Sequence, residues 1–230
     1  MNICVIPARG GSKRIPRKNI KEFNGKPIIA YSIEKALRSE CFGQVIVSTD
    51  DEEIANISKK YGATVPFIRP KGISDDYAGT GEVVSHAIEW LLKKDVSIDS
   101  VCCIYATAPF VTEKDIKSGL KLLNRSNADY CFTVTRYPFP VQRAIKITKE
   151  NRCKMLQPDM FEKRSQDLED IFHDAGQFYW GKPESWLENR VLFSSQSIPF
   201  VLPHYQVQDI DTMDDWRRAE YIMRLLDSDL

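Results

Sequence analysis

A basic segment near the start of the sequence could bind phosphate groups. Gly10 and Gly11 form a pair whose backbone N–H groups can turn toward an anion, because glycine has no Cβ in the way. The cationic side chains that flank the pair, Arg9, Lys13 and Lys18, can neutralise phosphate oxygens. The segment has neither the spacing of a Walker A loop nor that of the dinucleotide fingerprint. It predicts a triphosphate site, and the alternative is a solvated basic turn.

A second candidate site is the segment Asp209-Ile210-Asp211, near the end of the sequence. Side chains alternate between the two sides of an extended segment, so both carboxylates face the same way. Two carboxylates together with the phosphate oxygens of a substrate suit Mg²⁺. The alternative is that Asp211 only caps the last helix, where Asp214 and Asp215 would favour the helix dipole. On the residues alone, both interpretations remain open.

The elements that must position these segments follow from the apolar pattern of the chain. The predicted strands are 2–7, 44–49, 64–68, 100–105 and 130–135. The predicted helices are 27–38, 52–60, 82–93 and one that Thr112 opens. Strands that alternate with helices indicate βαβ crossovers and a mainly parallel sheet covered on both faces. We therefore expect an α/β fold with ligands at the carboxyl ends of its strands.

The alternation stops after residue 137. Residues 143–157 predict a hairpin, and we interpret 138–176 as an arm inserted into a single domain that spans 1–230. The chain then returns with strands at 177–180 and 198–202 and a last helix after Thr212. The arm carries apolar residues among many charges, namely Phe161, Leu168, Ile171 and Phe172. Because it cannot easily bury them alone, we expect a homodimer.

The composition excludes several classes of protein. The 230 residues are 43% hydrophobic and 28% charged, which is typical of a folded globular protein and excludes disorder, collagen and membrane spanning. The 32 Lys and Arg balance the 32 Asp and Glu, so no global field attracts nucleic acid or a membrane. The six cysteines lack metal-site spacing and are expected to be buried, reduced thiols. Without a signal sequence, a cytoplasmic protein is expected.

The segment Ile6–Asn19 reads I-P-A-R-G-G-S-K-x-x-P-x-K-N, and it resembles the signature of the CMP-sialic acid synthetase (acylneuraminate cytidylyltransferase) family. The order of the elements, the inserted arm and the D-x-D segment extend the resemblance over essentially the whole chain. The resemblance implies a three-layer α/β nucleotide-binding domain with a small dimerisation arm. It also implies transfer of CMP from CTP to the anomeric hydroxyl of a nonulosonic acid, with Mg²⁺ as cofactor.

The same resemblance implies roles for individual residues. Those implied to face the phosphates of CTP are Arg9, Gly10, Gly11, Ser12 and Lys13, and Ala8 is implied to bind the nucleotide. Lys18 would lie near the reacting α-phosphate and Asn19 near the nucleoside. The residues implied to read cytosine are Arg69, Ala78 and Thr80, those implied to bind Mg²⁺ are Asp209 and Asp211, and those implied to act in catalysis are Arg9, Lys18 and Asp211.

Two further segments bear on the acceptor. Tyr105 stands where related sialic acid enzymes have the Gln of a Q-P-T-S-P turn, and residues 173–180, H-D-A-G-Q-F-Y-W, resemble the branch that activates pseudaminic acid. We expect Tyr105, Gln177 and Tyr179 to contact the acceptor, and N-acetylneuraminic or legionaminic acid to be the alternatives. From a partner's arm, Lys163 and Arg164 are the candidates to line the sugar site.

Two other functions fit parts of the sequence. A nucleotide-sugar-dependent glycosyltransferase would also place a D-x-D in an α/β domain, although usually after a central strand. An RNA-binding module could be built on residues 9–21, but the chain lacks a second basic segment interleaved with aromatic residues. His86 is expected to be structural, while His173 sits at the edge of the predicted site. No Cys or Ser has a recognisable base partner, so covalent catalysis is not expected.

Overall fold

The computed structural model describes residues 1–75 and 78–228. Its strands are β1 (Ile3–Pro7), β2 (Glu22–Phe23), β3 (Lys26–Pro27), β4 (Gln44–Ser48), β5 (Val101–Ile104), β6 (Tyr130–Arg136), β7 (Ile145–Ile147), β8 (Cys153–Met155), β9 (Phe172–Gly181) and β10 (Ser197–Val201). Its α-helices are α1 (Ile28–Arg38), α2 (Glu52–Lys60), α3 (Thr80–Leu92), α4 (Glu113–Arg125), α5 (Pro183–Leu187) and α6 (Met213–Ser228).

Six strands form one mixed sheet in the order β10-β6-β9-β5-β1-β4. The pairs β1–β4, β1–β5 and β6–β10 are parallel, and β9 runs antiparallel between β5 and β6. Successive side chains of β1 enter two different clusters. Cys4 and Ile6 pack with α1, α2 and α4, whereas Ile3 and Val5 pack with α3 and α5. The predicted α/β fold, with a mainly parallel sheet covered on both faces, is confirmed.

A third cluster brings the two ends of the sequence together. Ile15 from the basic segment and Ile210 from the D-x-D segment are both fully buried in it. Phe23 and Trp216 complete its centre, and their rings meet edge to face with centroids 5.4 Å apart. Burial of this apolar surface is the main stabilising term, so packing holds the polar neighbours of Ile15 and Ile210 side by side.

The structure corrects two element predictions. Residues 64–68 form no strand but only the isolated bridges Ile46–Thr64 and Thr49–Ile68. Pro66 lies between these bridges and has no N–H to donate to a continuous ladder. Strand β9 is longer than the predicted 177–180, because it begins at Phe172 and pairs with the end of β6. The last five residues of the predicted arm, 172–176, therefore lie in the sheet.

The cysteines are free thiols, as expected. Cys4, Cys102, Cys103 and Cys131 are buried, and burial raises the pKa of Cys131 to about 12. Cys153 differs from the expectation, because it lies exposed on the β7–β8 hairpin. Within 1–75 and 78–228, no group of three or more His, Cys, Asp or Glu side chains could hold a metal ion. No helix in these ranges is long and apolar enough to cross a membrane.

Candidate active site

A cavity of about 660 Å³ opens at the carboxyl ends of β1 and β5, between Pro7 and Tyr105. Most of the predicted nucleotide residues line it. They are Arg9, Ser12, Lys13, Lys18, Asn19, Arg69, Ala78 and Thr80. Arg14, Asp75 and Thr107 also line the cavity, and the sequence did not single out Asp75 or Thr107. The topology thus gathers segments 60 to 100 positions apart at the edge of the sheet where ligands were expected.

Of the two glycines in the basic segment, Gly10 packs closely against Asp51, whereas Gly11 does not. A Cβ at Gly10 would lie 2.7 Å from Oδ2 of Asp51, whereas none of the described atoms lies within 4 Å of a Cβ at Gly11. The N–H of Gly10 donates to Oδ1 of Asp50 at 2.9 Å. This N–H therefore has a partner within the protein, and a role of Gly10 at the phosphates stays a prediction.

Asp51 fixes the basic segment against the next βα turn. Its carboxylate caps α2 by accepting the N–H of Ile54 at 2.9 Å, and it also accepts two hydrogen bonds from the guanidinium of Arg17. Arg17 adopts a left-handed conformation with φ of 55°. The bonds to Arg17 hold the pKa of the Asp51 carboxyl at about 2. Arg17 therefore belongs to the framework of the loop.

Lys18 connects the basic segment to the D-x-D segment. Its Nζ donates to the carbonyl oxygen of Ile210 at 2.7 Å and lies 3.5 Å from Oδ1 of Asp211. Nη2 of Arg14 lies 2.8 Å from the same carboxylate oxygen. Asp211 is therefore joined to two cations of the cavity wall, although almost 200 positions separate them in the sequence.

The alternative role of Asp211, as the cap of the last helix, is filled by other residues. The hydroxyl of Thr212 accepts the N–H of Asp215 at 3.2 Å, and the carboxylate of Asp215 accepts the N–H of Thr212 at 2.8 Å. These reciprocal bonds are a capping box for α6. The carboxylate of Asp211 points instead to Arg14 and Lys18.

The pair Asp209 and Asp211 fits a divalent cation. Burial, followed by the nearby charge of Asp211, raises the pKa of Asp209 above its ordinary value. A cation between the two carboxylates would relieve this repulsion. Magnesium is typically held by one or two carboxylates together with substrate phosphate oxygens, and Asp209 and Asp211 would supply the two carboxylates of such a donor set.

Arg69 is a buried cation in the cavity wall. Its side chain is 3% exposed, and Nη2 lies 3.8 Å from Oδ1 of Asp50. Burial lowers the pKa of Arg69 from its ordinary value, although Asp50 opposes this effect. The Nε–H has no hydrogen-bond partner among the described residues. A buried, unsatisfied donor costs about 1–3 kcal/mol, so an acceptor on a ligand would be strongly favoured here.

A second cavity, of about 510 Å³, adjoins the first and shares Thr80 and Tyr105 with it. The Tyr105 hydroxyl lies 3.1 Å from Oγ1 of Thr80. The Tyr179 hydroxyl donates to Oδ2 of Asp174 at 2.6 Å, and the rings of Tyr105 and Tyr179 have centroids 5.2 Å apart. Apolar walls come from Trp186, Leu192 and Phe193, none of which sequence reasoning assigned to the site.

Other predicted site residues lie differently. Gln177 is buried, donates from Nε2 to the carbonyl oxygen of Gln206, and is not among the residues that line these two cavities. His86 packs edge to face on Phe67 with centroids 4.6 Å apart, in keeping with a structural role. His173 lines a third cavity of about 380 Å³, together with Asp209 and Tyr105.

Comparisons with known proteins agree with this geometry. Residues 3–206 match a family model described as Cytidylyltransferase. The chain is 46% identical to a pseudaminic acid cytidylyltransferase of Campylobacter jejuni, over 97% of each chain. It is 32% identical to a CMP-N,N'-diacetyllegionaminic acid synthase of Legionella pneumophila, over 97% of this chain and 96% of that one.

Solved structures with the same fold are more distant in sequence. A CMP:2-keto-3-deoxy-manno-octonic acid synthetase complexed with CTP superposes with a TM-score of 0.69 at 17% identity, over 97% of this chain and 98% of that one. A 4-diphosphocytidyl-2C-methyl-D-erythritol synthase of Anaerococcus prevotii superposes with a TM-score of 0.64 at 12% identity, over the same shares. At these identities the likeness describes the fold alone.

Proposed function

This chain belongs to the cytidylyltransferase family, and we propose that it transfers CMP from CTP to the anomeric hydroxyl of a nonulosonic acid, with pseudaminic acid as the acceptor. Membership of this family confirms the resemblance drawn from Ile6–Asn19. It also decides against the glycosyltransferase and RNA-binding alternatives. The structural observation that carries the proposal is the contact of Lys18 with the Asp209-Ile210-Asp211 segment, because it joins a cavity rich in cations to a carboxylate pair.

We assign the first cavity to CTP. Arg9, Lys13 and Lys18 line it and would neutralise the triphosphate, while Arg69 offers a buried donor that lacks a protein partner. Ala78 and Thr80 line the same cavity, where the resemblance implies recognition of cytosine. Orienting the flexible triphosphate of CTP for reaction costs conformational entropy. Cationic side chains that the fold holds in fixed positions around the cavity reduce that cost.

In the reaction, the anomeric oxygen of the acceptor forms a bond to the α-phosphorus of CTP. The bond from that phosphorus to the oxygen shared with the β-phosphate breaks, pyrophosphate leaves with the electron pair, and the proton of the anomeric hydroxyl is released to water. Negative charge builds up on the phosphate oxygens, so Arg9 and Lys18 act chiefly by preorganised charge. We assign no general base.

Members of this family typically use a divalent metal, and we assign Mg²⁺ to Asp209 and Asp211. The cation would neutralise phosphate charge and help to orient the two substrates. Lys18 and Arg14 hold the Asp211 carboxylate in place through its Oδ1.

We place the acceptor in the second cavity. It shares Thr80 and Tyr105 with the first, so a sugar acid bound there would meet the α-phosphate at this boundary. The mixture of apolar walls with the hydroxyls of Tyr105 and Tyr179 suits a sugar that carries acyl groups and a methyl terminus. Gln177 is left out of this assignment.

We further propose a homodimer formed through the arm. Large apolar side chains of the arm face solvent in the single chain, among them Phe139, 80% exposed, and Phe161, 71% exposed. Ile145, Ile147 and Leu156 on and beside the β7–β8 hairpin are also exposed. Several large apolar side chains exposed within one segment are typical of an interface. Lys163 and Arg164 are the residues that we expect to reach the partner's sugar site.

Pyrophosphate release tests the function. The purified protein is given CTP and Mg²⁺ with pseudaminic, N,N'-diacetyllegionaminic or N-acetylneuraminic acid, and with no sugar as a control. Turnover with pseudaminic acid far above the others is expected. Turnover only with another acid would overturn the acceptor assignment, and no turnover with any of the three would overturn the function.

A further inference from the structure

Arg17 occupies a position in the basic segment that usually favours glycine. The N–H of Lys18 donates to the carbonyl oxygen of Ile15 at 3.2 Å, so residues 15–18 form a tight turn. Pro16 is the second residue of this turn, and Arg17, with φ of 55° and ψ of 31°, is the third. Turns with Pro in the second position and a positive φ in the third generally have Gly or Asn in the third. Turn preference alone therefore does not explain an arginine here.

The side chain of Arg17 makes contacts that glycine could not make. Nη1 and Nη2 donate to the two carboxylate oxygens of Asp51 at 2.5 and 2.9 Å, and Nη2 also donates to Oε2 of Glu53 at 2.5 Å. Both carboxylates lie at the N-terminus of α2. A planar guanidinium that binds two carboxylates fixes direction as well as distance. Arg17 therefore links the turn to α2, and these contacts offset the steric cost of its left-handed backbone.

The residues on either side of Arg17 lead to the D-x-D segment. Ile15 is fully buried in the cluster that contains Ile210. Nζ of Lys18 donates to the carbonyl oxygen of Ile210 at 2.7 Å and lies 3.5 Å from Oδ1 of Asp211. Lysine is a point charge on a flexible stem, so the position of its ammonium depends on where the backbone places its Cα. The conformation of Arg17 decides that placement, because Arg17 directly precedes Lys18.

We propose that Arg17 is a positioning residue for the transfer of CMP, because by linking the turn at 15–18 to α2 it holds the Lys18 ammonium where the α-phosphate of CTP reacts. This inference rests on the proposed function, since it takes the first cavity to bind CTP and Lys18 to stabilise charge on the phosphate. Arg17 is not among the described residues that line this cavity, and neither are Asp51 and Glu53. Arg17 therefore acts on the reaction through Lys18.

The variant Arg17→Gly separates the contacts of the side chain from the conformation of the turn. Glycine adopts a positive φ without steric cost, so the turn stays allowed while the contacts with α2 are lost. Lys18 acts on charge that develops during the reaction, whereas Arg9 and Lys13 remain to bind CTP. We expect kcat to fall about tenfold or more, because small displacements of a reacting group are costly. The KM for CTP should stay within about threefold, since binding in the ground state is kept.

The variant Glu53→Gln weakens the same link from its exposed end. The side chain of Glu53 is 66% exposed, and kcat should fall about two- to fivefold, the change that corresponds to an exposed ion pair. Combined with Arg17→Gly, it should lower kcat no further. Arg38→Gly is the matched control, because Nε of Arg38 lies 3.0 Å from Oε1 of Glu113, away from the three cavities, and kcat should stay unchanged. Melting temperatures of all variants report folding separately.

A double-mutant cycle with Lys18→Met tests whether Arg17 acts through the ammonium group. Lys18→Met removes the charge and keeps an unbranched side chain. In that background, Arg17→Gly should change kcat by less than about twofold, because the group that Arg17 positions is already absent. A purely structural role of Arg17 would lower kcat by the same factor with and without the ammonium.

The outcomes separate this inference from the function on which it rests. If the wild-type protein turns over pseudaminic acid and kcat of Arg17→Gly equals that of the wild type, the turn alone places Lys18 and the inference is wrong. An equal fall of kcat in the Lys18→Met background also overturns it. Should Arg17→Gly fail to fold, an unchanged kcat in Glu53→Gln overturns it. If the wild-type protein turns over none of the acids, the proposed function fails first and this inference fails with it.

Discussion

The ammonium group of Lys18 lies 3.5 Å from a carboxylate oxygen of Asp211, across 193 positions of the sequence. The same ammonium donates to the carbonyl oxygen of Ile210 at 2.7 Å. Ile210 is buried in the same cluster as Ile15, so packing of apolar side chains brings the charges together. The basic segment and the D-x-D segment are thus two walls of one site.

Substitution of Asp211 should abolish most of the turnover without loss of the fold. In Asp211→Asn, the shape is kept but the negative charge shared by Arg14, Lys18 and the expected cation is lost. We expect kcat to fall by about 100-fold or more, the range found when a preorganised electrostatic partner is removed. Pyrophosphate release measures kcat, and circular dichroism checks the fold. Asp214→Asn, at a carboxylate that is 93% exposed, is the matched control, and equal rates in both variants would contradict the assignment.

The close approach at Gly10 predicts a difference between two neighbouring glycines. In Gly10→Ala, the new methyl group would lie 2.7 Å from a carboxylate oxygen of Asp51. Arg17 and the N–H of Ile54 hold that carboxylate in place, so the strain should destabilise the protein by about 1–3 kcal/mol. Gly11→Ala meets open space and should melt near the wild-type temperature. Thermal unfolding measures both variants, and an unchanged stability of Gly10→Ala would refute the steric argument.

The pair of Asp51 and Arg17 predicts a dependence of stability on pH. The folded-state pKa of Asp51 is about 2, below its ordinary value of 3.8. Its stabilisation is therefore complete above about pH 5 and is lost as the pH falls from about 4 through 2. In Asp51→Asn, the helix cap is kept but the charge is removed. The variant should unfold at lower temperature than wild type at pH 7, and the gap should close toward pH 2. A gap that stays constant with pH would exclude the ion pair as its cause.

The orphaned donor of Arg69 predicts a specific loss of affinity for the nucleotide. In Arg69→Lys, the positive charge is kept, but the Nε–H that has no partner among the described residues is removed. The KM for CTP should rise by about tenfold to a hundredfold, the usual worth of a hydrogen bond to a charged group, while the acceptor KM changes little. The exposed Arg125→Lys on α4 is the control. Equal KM values for CTP in the two variants would remove Arg69 from the nucleotide site.

The exposed arm predicts that assembly and activity are lost together. In Phe161→Glu, a charge is placed on an apolar side chain that is 71% exposed in the single chain. The mass measured by light scattering should fall from two copies to one, and turnover should fall with it if the partner's arm completes the sugar site. Tyr221→Glu on α6, 62% exposed and outside the arm, should leave the mass unchanged. A wild-type mass equal to a single chain would contradict the proposed dimer.

Local spacing in the sequence was enough to predict much of the fold. Apolar runs and helical spacing located the strands of the parallel part of the sheet and the helices between them, because these patterns depend only on the period of each element. The glycine pair with its cations and the D-x-D segment could be recognised for the same reason. Their chemistry lies in residues that are adjacent in the chain.

The tertiary structure decided the features that depend on distant partners. The apolar pattern did not predict the start of β9, because His173 and Asp174 are polar residues that are not typical of a buried strand. The structure shows that this segment pairs with the end of β6. The cap of α6 on Thr212 frees Asp211 for the site, a choice between neighbours that spacing alone left open. The sequence alone determined which residues can do the chemistry. The packing of Ile15 with Ile210 and the pairing of β9 decided which of those residues lie close together. Contacts between distant segments depend on how the whole chain buries its apolar surface, and local spacing does not contain that information.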